Sequence, residues 1–170
     1  MNLQKLFIVS LLITVFTTNS FAQDAATATA SATIIAPITI TNAVDMNFGN
    51  IAVQAETAGT AVIAPAGTRT RTAGVNLPST TDTFTAASFI IEGASEYAYI
   101  ITIPSTGYIL TNATTLETMT VSAFTSSPSS TGILDGSETL NIGATLNVAA
   151  EQAPGVYTNA TGFDVTVNYN

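Results

Sequence analysis

The stretch "TLNIGATLNV", residues 139–148, decides the fold. Leu140, Ile142, Ala144, Leu146 and Val148 recur at every second position, which in an extended strand places all five on one side. A helix would spread the same residues around its axis. Working outward, the same period of two returns in "SFIIEGASEYAYIITIP" (88–104), where Phe89 and Ile91 share one arm and Tyr97, Tyr99, Ile101 and Ile103 share the next. Gly93 to Ser95 turn between them, so this segment predicts a hairpin. Met119 and Val121 are in phase in "ETMTVSAF" (117–124), and Phe163, Val165, Val167 and Tyr169 are in phase at the end of the chain.

Short apolar pieces fill the rest: "TAVIAP" (60–65), "RTRTAGVNL" (69–77) and "GYILTN" (107–112). Met46, Phe48 and Ile51 flank the turn-capable Gly49-Asn50, "SSPSSTG" (126–132) reads as a loop, and Pro154-Gly155 turns the chain into its last strand. Asp135-Gly136 is a type I′ hairpin signal. Nine or ten short strands with turn signals between them predict an all-β sandwich. Its expected core is Phe48, Phe89, Ile91, Tyr99, Ile101, Ile103, Met119, Val121, Leu140, Ile142, Leu146, Phe163, Val165 and Val167. Threonine is abundant, so the polar faces are built from hydroxyls, and the residues favoured in strands dominate over helix formers.

The first residues follow a different plan. Lys5 precedes an apolar run from Leu6 to Phe16, and a polar stretch ends in Ser20-Phe21-Ala22. A positive end, a short apolar helix and small residues at −3 and −1 describe a secretory signal, cleaved after Ala22. The run is about half the ~20 residues a membrane span needs. The expected division is therefore a signal helix over 1–22, an N-terminal extension over 23–36 and a sandwich domain over 37–170. Export places the mature chain in the periplasm, at the cell surface or outside the cell. In the extension, "ATATASATI" (26–34) alternates Ala28, Ala30, Ala32 and Ile34 with threonine and serine, and Pro37 breaks the phase before Ile38 and Ile40.

Charge and composition exclude whole classes of function. Once Lys5 has left with the signal, Arg69 and Arg71 stand alone against eleven acids, a balance that repels nucleic acid and anionic lipid. The mature chain also has no membrane span. There is no histidine and no cysteine, which removes disulfides, thiol chemistry, the common metal ligands and any Ser-His-Asp triad. Two carboxylate pairs, Glu92 with Glu96 and Asp135 with Glu138, lie at turns where acids ordinarily serve solvation. "DGSE" (135–138) carries too few alternating oxygens for a calcium loop. Arg69 and Arg71 fall on one strand face and read as solvated charges. Tyr97, Tyr99 and Tyr157 could stack on a sugar, but two of them alternate with isoleucines and fit a core better. No catalytic, cofactor or metal residue is expected, and the chain reads as a non-enzyme.

Three pieces, "ATATASATIIAPITITNAVDMNFGNI" (26–51), "APAGTRT" (64–70) and "LNVAAEQAPGVYTNATGFDVTVNYN" (146–170), resemble the secreted bacterial domain-of-unknown-function family 4402. The same plan is more distantly similar to spore coat protein U and the archaic chaperone–usher pilins, which share an early "FG" turn and a closing "G-Y…V-V-aromatic" strand. That resemblance implies a single immunoglobulin-like antiparallel sandwich that is incomplete on its own. It further implies a structural role in a surface fibre or coat, built by β-strand addition. Ala28, Ala30, Ala32 and Ile34 would be the donor strand, and Phe163, Val165, Val167 and Tyr169 the acceptor-groove strand. Partners would be copies of the chain or related subunits, and a periplasmic chaperone. The alternative is a self-complete secreted module that binds a glycan or a surface partner.

Overall fold

A computed structural model describes residues 24–78 and 83–170; the expected signal segment lies outside them. The chain divides into two units, one ending at Ile34 and the other running from Ile35 to Asn170. The described part of the first unit, 24–34, carries no strand, and each of its residues is exposed.

The second unit is all β, with no helix among the described residues. Its strands are β1 (Thr39–Val44), β2 (Ala52–Val53), β3 (Gly59–Ile63), β4 (Arg69–Ala73), β5 (Val75–Asn76), β6 (Ala87–Glu92) and β7 (Ala98–Thr102). There follow β8 (Tyr108–Asn112), β9 (Thr118–Ser127), β10 (Thr131–Ile133), β11 (Ser137–Val148), β12 (Tyr157–Thr158) and β13 (Thr166–Tyr169). An eight-stranded antiparallel sheet runs β1-β6-β11-β9-β8-β12, with β3 and then β4 added at β11. A three-stranded sheet runs β10-β7-β13, and β2 with β5 forms a small ribbon.

The two larger sheets share one core, as a sandwich requires. Ile91, Leu140, Ile142 and Leu146 from the large sheet and Tyr99, Ile101 and Val167 from the small one belong to a single buried cluster. Every expected core residue lies in that cluster or against it: Phe89, Ile103, Met119, Phe163 and Val165 are half-buried there, and the others are buried. β11 is the spine. All five of its alternating apolar residues are buried, and its twelve residues pair with three different strands.

Two expected hairpins are corners instead. β6 pairs with β1 and β11, whereas β7 pairs with β10 and β13, so the turn at 93–95 carries the chain from one sheet to the other. The Asp135-Gly136 turn does the same between β10 and β11. The corners bond to each other: Gly93 N–H donates to Gly136 O at 3.1 Å, Glu96 N–H to Leu134 O at 2.7 Å and Leu134 N–H to Tyr97 O at 3.0 Å. Alternation reports which side of a strand is buried and is silent on which strand lies beside it. Crossing between sheets lets both arms bury Ile91 and Tyr99 in the same core.

Candidate functional site

The C-terminal strand is one of the two edges of the small sheet, β10 being the other. β13 pairs with β7 through Thr166↔Thr102, Val167↔Ile101, Asn168↔Ile100 and Tyr169↔Tyr99. On its other side it has no ladder partner among the described residues, although β1 comes close to it. The row of N–H and C=O groups on that side is the kind of edge that accepts another strand.

The four residues expected to line the edge strand all turn inward. Val167 is buried; Phe163, Val165 and Tyr169 are half-buried against the core. The intervening Asp164, Thr166 and Asn168 are exposed, as a period of two demands. The regular strand is shorter than the alternation, because 163–165 lie outside the ladder. Phe163 is held instead by rings, with its centroid 5.0 Å from Phe124, 5.9 Å from Tyr108 and 6.4 Å from Phe89.

Tyr169 fixes the far end. Its hydroxyl donates to Ala36 O at 3.0 Å and accepts from Ala94 N–H at 2.6 Å. Its ring packs on Tyr97 at 5.8 Å. One phenol thus joins the last strand, the 93–95 corner and the backbone just ahead of β1. Ala28, Ala30, Ala32 and Ile34, the expected donor residues, lie in the first unit and are exposed; Ile34 is 96% exposed.

The three tyrosines singled out in the sequence have separate partners. Tyr99 has no exposed surface, and its hydroxyl donates to Glu138 Oε2 at 2.5 Å. Burial, then the bond to Glu138 and its charge, push the Tyr99 pKa well above the ordinary phenol range. Tyr157 belongs to a network around Glu117, whose Oε2 accepts from Gln152 Nε2 and from Ala153 N–H, each at 3.0 Å. The Tyr157 hydroxyl accepts from Gln152 Nε2 at 2.9 Å and donates to Ala153 O at 2.8 Å. The three tyrosines therefore share no sugar-stacking face. They serve the core, the β13 clamp and the loop before β12. Among the described residues no three acids gather where they could hold a metal ion.

The arginines share one side of β4 as expected, but they are not simply solvated. Arg69 Nη1 donates to Phe48 O at 2.6 Å and its guanidinium lies 4.4 Å over the Phe84 ring, a cation–π contact. Arg71 Nη1 donates to Val75 O at 2.9 Å. Arg69 thus reaches a carbonyl and a ring far away in sequence, which spacing cannot reveal, whereas Arg71 bonds a carbonyl four residues on.

Comparison with curated proteins and with solved structures finds no match to either. A family model does match, over residues 38–169, which is most of the chain and nearly all of the sandwich. With its all-β architecture and its closing strand inside the matched span, the chain belongs to the family described as domain of unknown function DUF4402.

Proposed function

We propose that this chain is a non-enzymatic, exported structural protein, a component of a surface fibre or coat assembled by β-strand addition at the free edge of β13. The observation that carries this reading is the environment of that strand: it is paired on one side only, its inward residues reach the core, and β1 passes nearby without a ladder. Support comes also from 24–34, an alternating and exposed segment with no strand of its own. Its sequence is suited to enter a sheet as an extra strand, with Ala28, Ala30, Ala32 and Ile34 on one side. The likeness of both ends to spore coat protein U and the archaic pilins points the same way, and with it to a periplasmic chaperone that holds the edge before assembly. The lack of histidine and cysteine and the scattering of the acids favour a structural role over a catalytic one.

The test is light scattering after size exclusion on protein starting at Gln23 beside protein starting at Ile35, with unheated detergent gels of both. A detergent-resistant ladder from the longer form alone is the expected result. Monomers from both forms overturn strand addition by this segment.

A further inference from the structure

β11 carries two strands end to end on one of its edges. Its pairing with β9 spans Asn141 to Asn147 and occupies the other edge, so β6, paired at Ser137 to Ile142, and β3, paired at Ala144 to Val148, must share the remaining one. They meet at Gly143. A Cβ there would fall on the Ile63 carbonyl and 2.7 Å from Pro65 Cδ, so glycine lets the 64–67 turn lie down on the seam. Beside the seam the surface opens into a groove of about 390 Å³. That lies in the lower part of the range of ~300–1,000 Å³ for small-ligand clefts.

The walls combine two kinds of group. Val44, Pro65, Phe84 and Ala86 supply apolar surface, whereas Ser88 and Asn141 are cross-strand partners that enter as a neighbouring hydroxyl and amide. Both are half-buried, and neither side chain has a hydrogen-bond partner among the described residues. This differs from the neighbouring Thr85, also in the wall, whose hydroxyl is committed to Asp45 O at 2.7 Å. Among the described residues no charged side chain lines the groove; the Arg69 guanidinium over the Phe84 ring is committed to Phe48 O.

We infer that this groove is a binding site for a neutral sugar ring. An uncharged wall favours an uncharged ligand, because a charged one would leave its hydration without a counter-charge. A pyranose offers an apolar C–H face for Val44, Pro65 and Ala86, with hydroxyls at its rim, while the Phe84 ring in the same wall carries the Arg69 guanidinium. Asn141 both donates and accepts, and Ser88 does the same, so together they match a pair of adjacent sugar hydroxyls. The site lies on β6, β11 and the β3–β4 turn, and does not depend on the free edge of β13 or on the proposed assembly.

The test is a ¹H–¹⁵N titration of the full mature chain with methyl mannoside, methyl galactoside and N-acetylglucosamine, each raised to high millimolar concentration, with galacturonate as the charged control. The expected result is saturable shifts at Ser88, Phe84 and Asn141 with at least one neutral sugar, and none there with galacturonate. Asn141→Ala should weaken binding about tenfold, the loss of one hydrogen bond. Ser88→Ala, which only removes a hydroxyl, provides a second variant should the first fold poorly. Absence of saturable shifts with all three neutral sugars overturns the proposal. So do shifts unchanged in a folded variant, or a groove that responds to neutral peptides and to no sugar.

Discussion

The hydroxyl of Tyr169 donates to the carbonyl of Ala36 at 3.0 Å, joining the second-last residue to the backbone just before the first strand. The same oxygen accepts from Ala94 N–H at 2.6 Å. Replacing Tyr169 by phenylalanine keeps the ring against Tyr97 and removes both bonds. The part-buried Ala94 N–H then loses its partner, which costs about 1–3 kcal/mol, whereas the exposed Ala36 carbonyl can turn to water. Urea unfolding should show Y169F with a lower midpoint and an unchanged slope. An unchanged midpoint would mean that water replaces the phenol without loss.

Val167 lies one rung along the same strand and faces the core, whereas Thr166 beside it is exposed. A carboxylate at 167 would be buried in the apolar cluster, so Val167→Asp is expected to stop the folded protein from accumulating. Thr166→Asp should change stability by no more than about 0.5 kcal/mol, as exposed substitutions do. Soluble yield and urea midpoint of the two variants check the pair of outcomes. A folded V167D at normal yield would falsify the inward assignment of the strand.

The alternation of the strands makes the core legible in the sequence. Leu140, Ile142, Leu146 and Val167 could be placed in a core from their spacing alone, because a strand turns every second side chain the same way. The corners at 93–95 and 135–136 could not be told from hairpins, because a turn signal says that the chain reverses and leaves open which strand it then joins. The free side of β13 was legible only as a question. Whether an edge is covered depends on elements distant in the chain, here β1 and β7. The groove at Ser88 and Asn141 left no trace in sequence at all. It exists because β6 and β3 share one edge of β11, a fact of pairing rather than of composition.

Alkaline unfolding should report the burial of Tyr99. Its pKa is raised by burial first, and then by the bond to Glu138 and the charge there. The folded state therefore holds the proton at pH values where the unfolded chain, with a phenol pKa near ~10, has released it. Stability from this group is complete below about pH 10 and falls as the pH climbs past it, by about 1.4 kcal/mol per pH unit. Tyr108 is shifted in the same direction by burial, with its backbone bond to Gly162 opposing, and adds to the fall. Tyr99→Phe lowers stability at neutral pH, because Glu138 loses its donor. It should also flatten the decline above pH 10. A variant with the parental alkaline slope would show that the ionisation of Tyr99 is not coupled to folding.

Ile34 gives the sharpest separation between folding and assembly. It is 96% exposed, the one large apolar residue in an alanine-rich alternating segment. If 24–34 completes the sheet of another copy, Ile34 is the main apolar anchor. Its burial is worth about 2–3 kcal/mol, against about 0.8 kcal/mol for each alanine methyl. Ile34→Asp should therefore leave the urea midpoint of the isolated monomer within about 0.5 kcal/mol of the parent, as an exposed change does. It should at the same time remove the detergent-resistant ladder, since an unpaired carboxylate would have to enter an apolar groove. Ile34→Leu, which keeps the anchor, should preserve the ladder. Should I34D assemble as well as the parent, the side chain at 34 does not enter the groove and the alternation of 26–34 has another purpose. A lowered monomer midpoint would instead place Ile34 against its own chain. The two measurements, made on the same pair of variants, distinguish a strand that is given away from one that is kept.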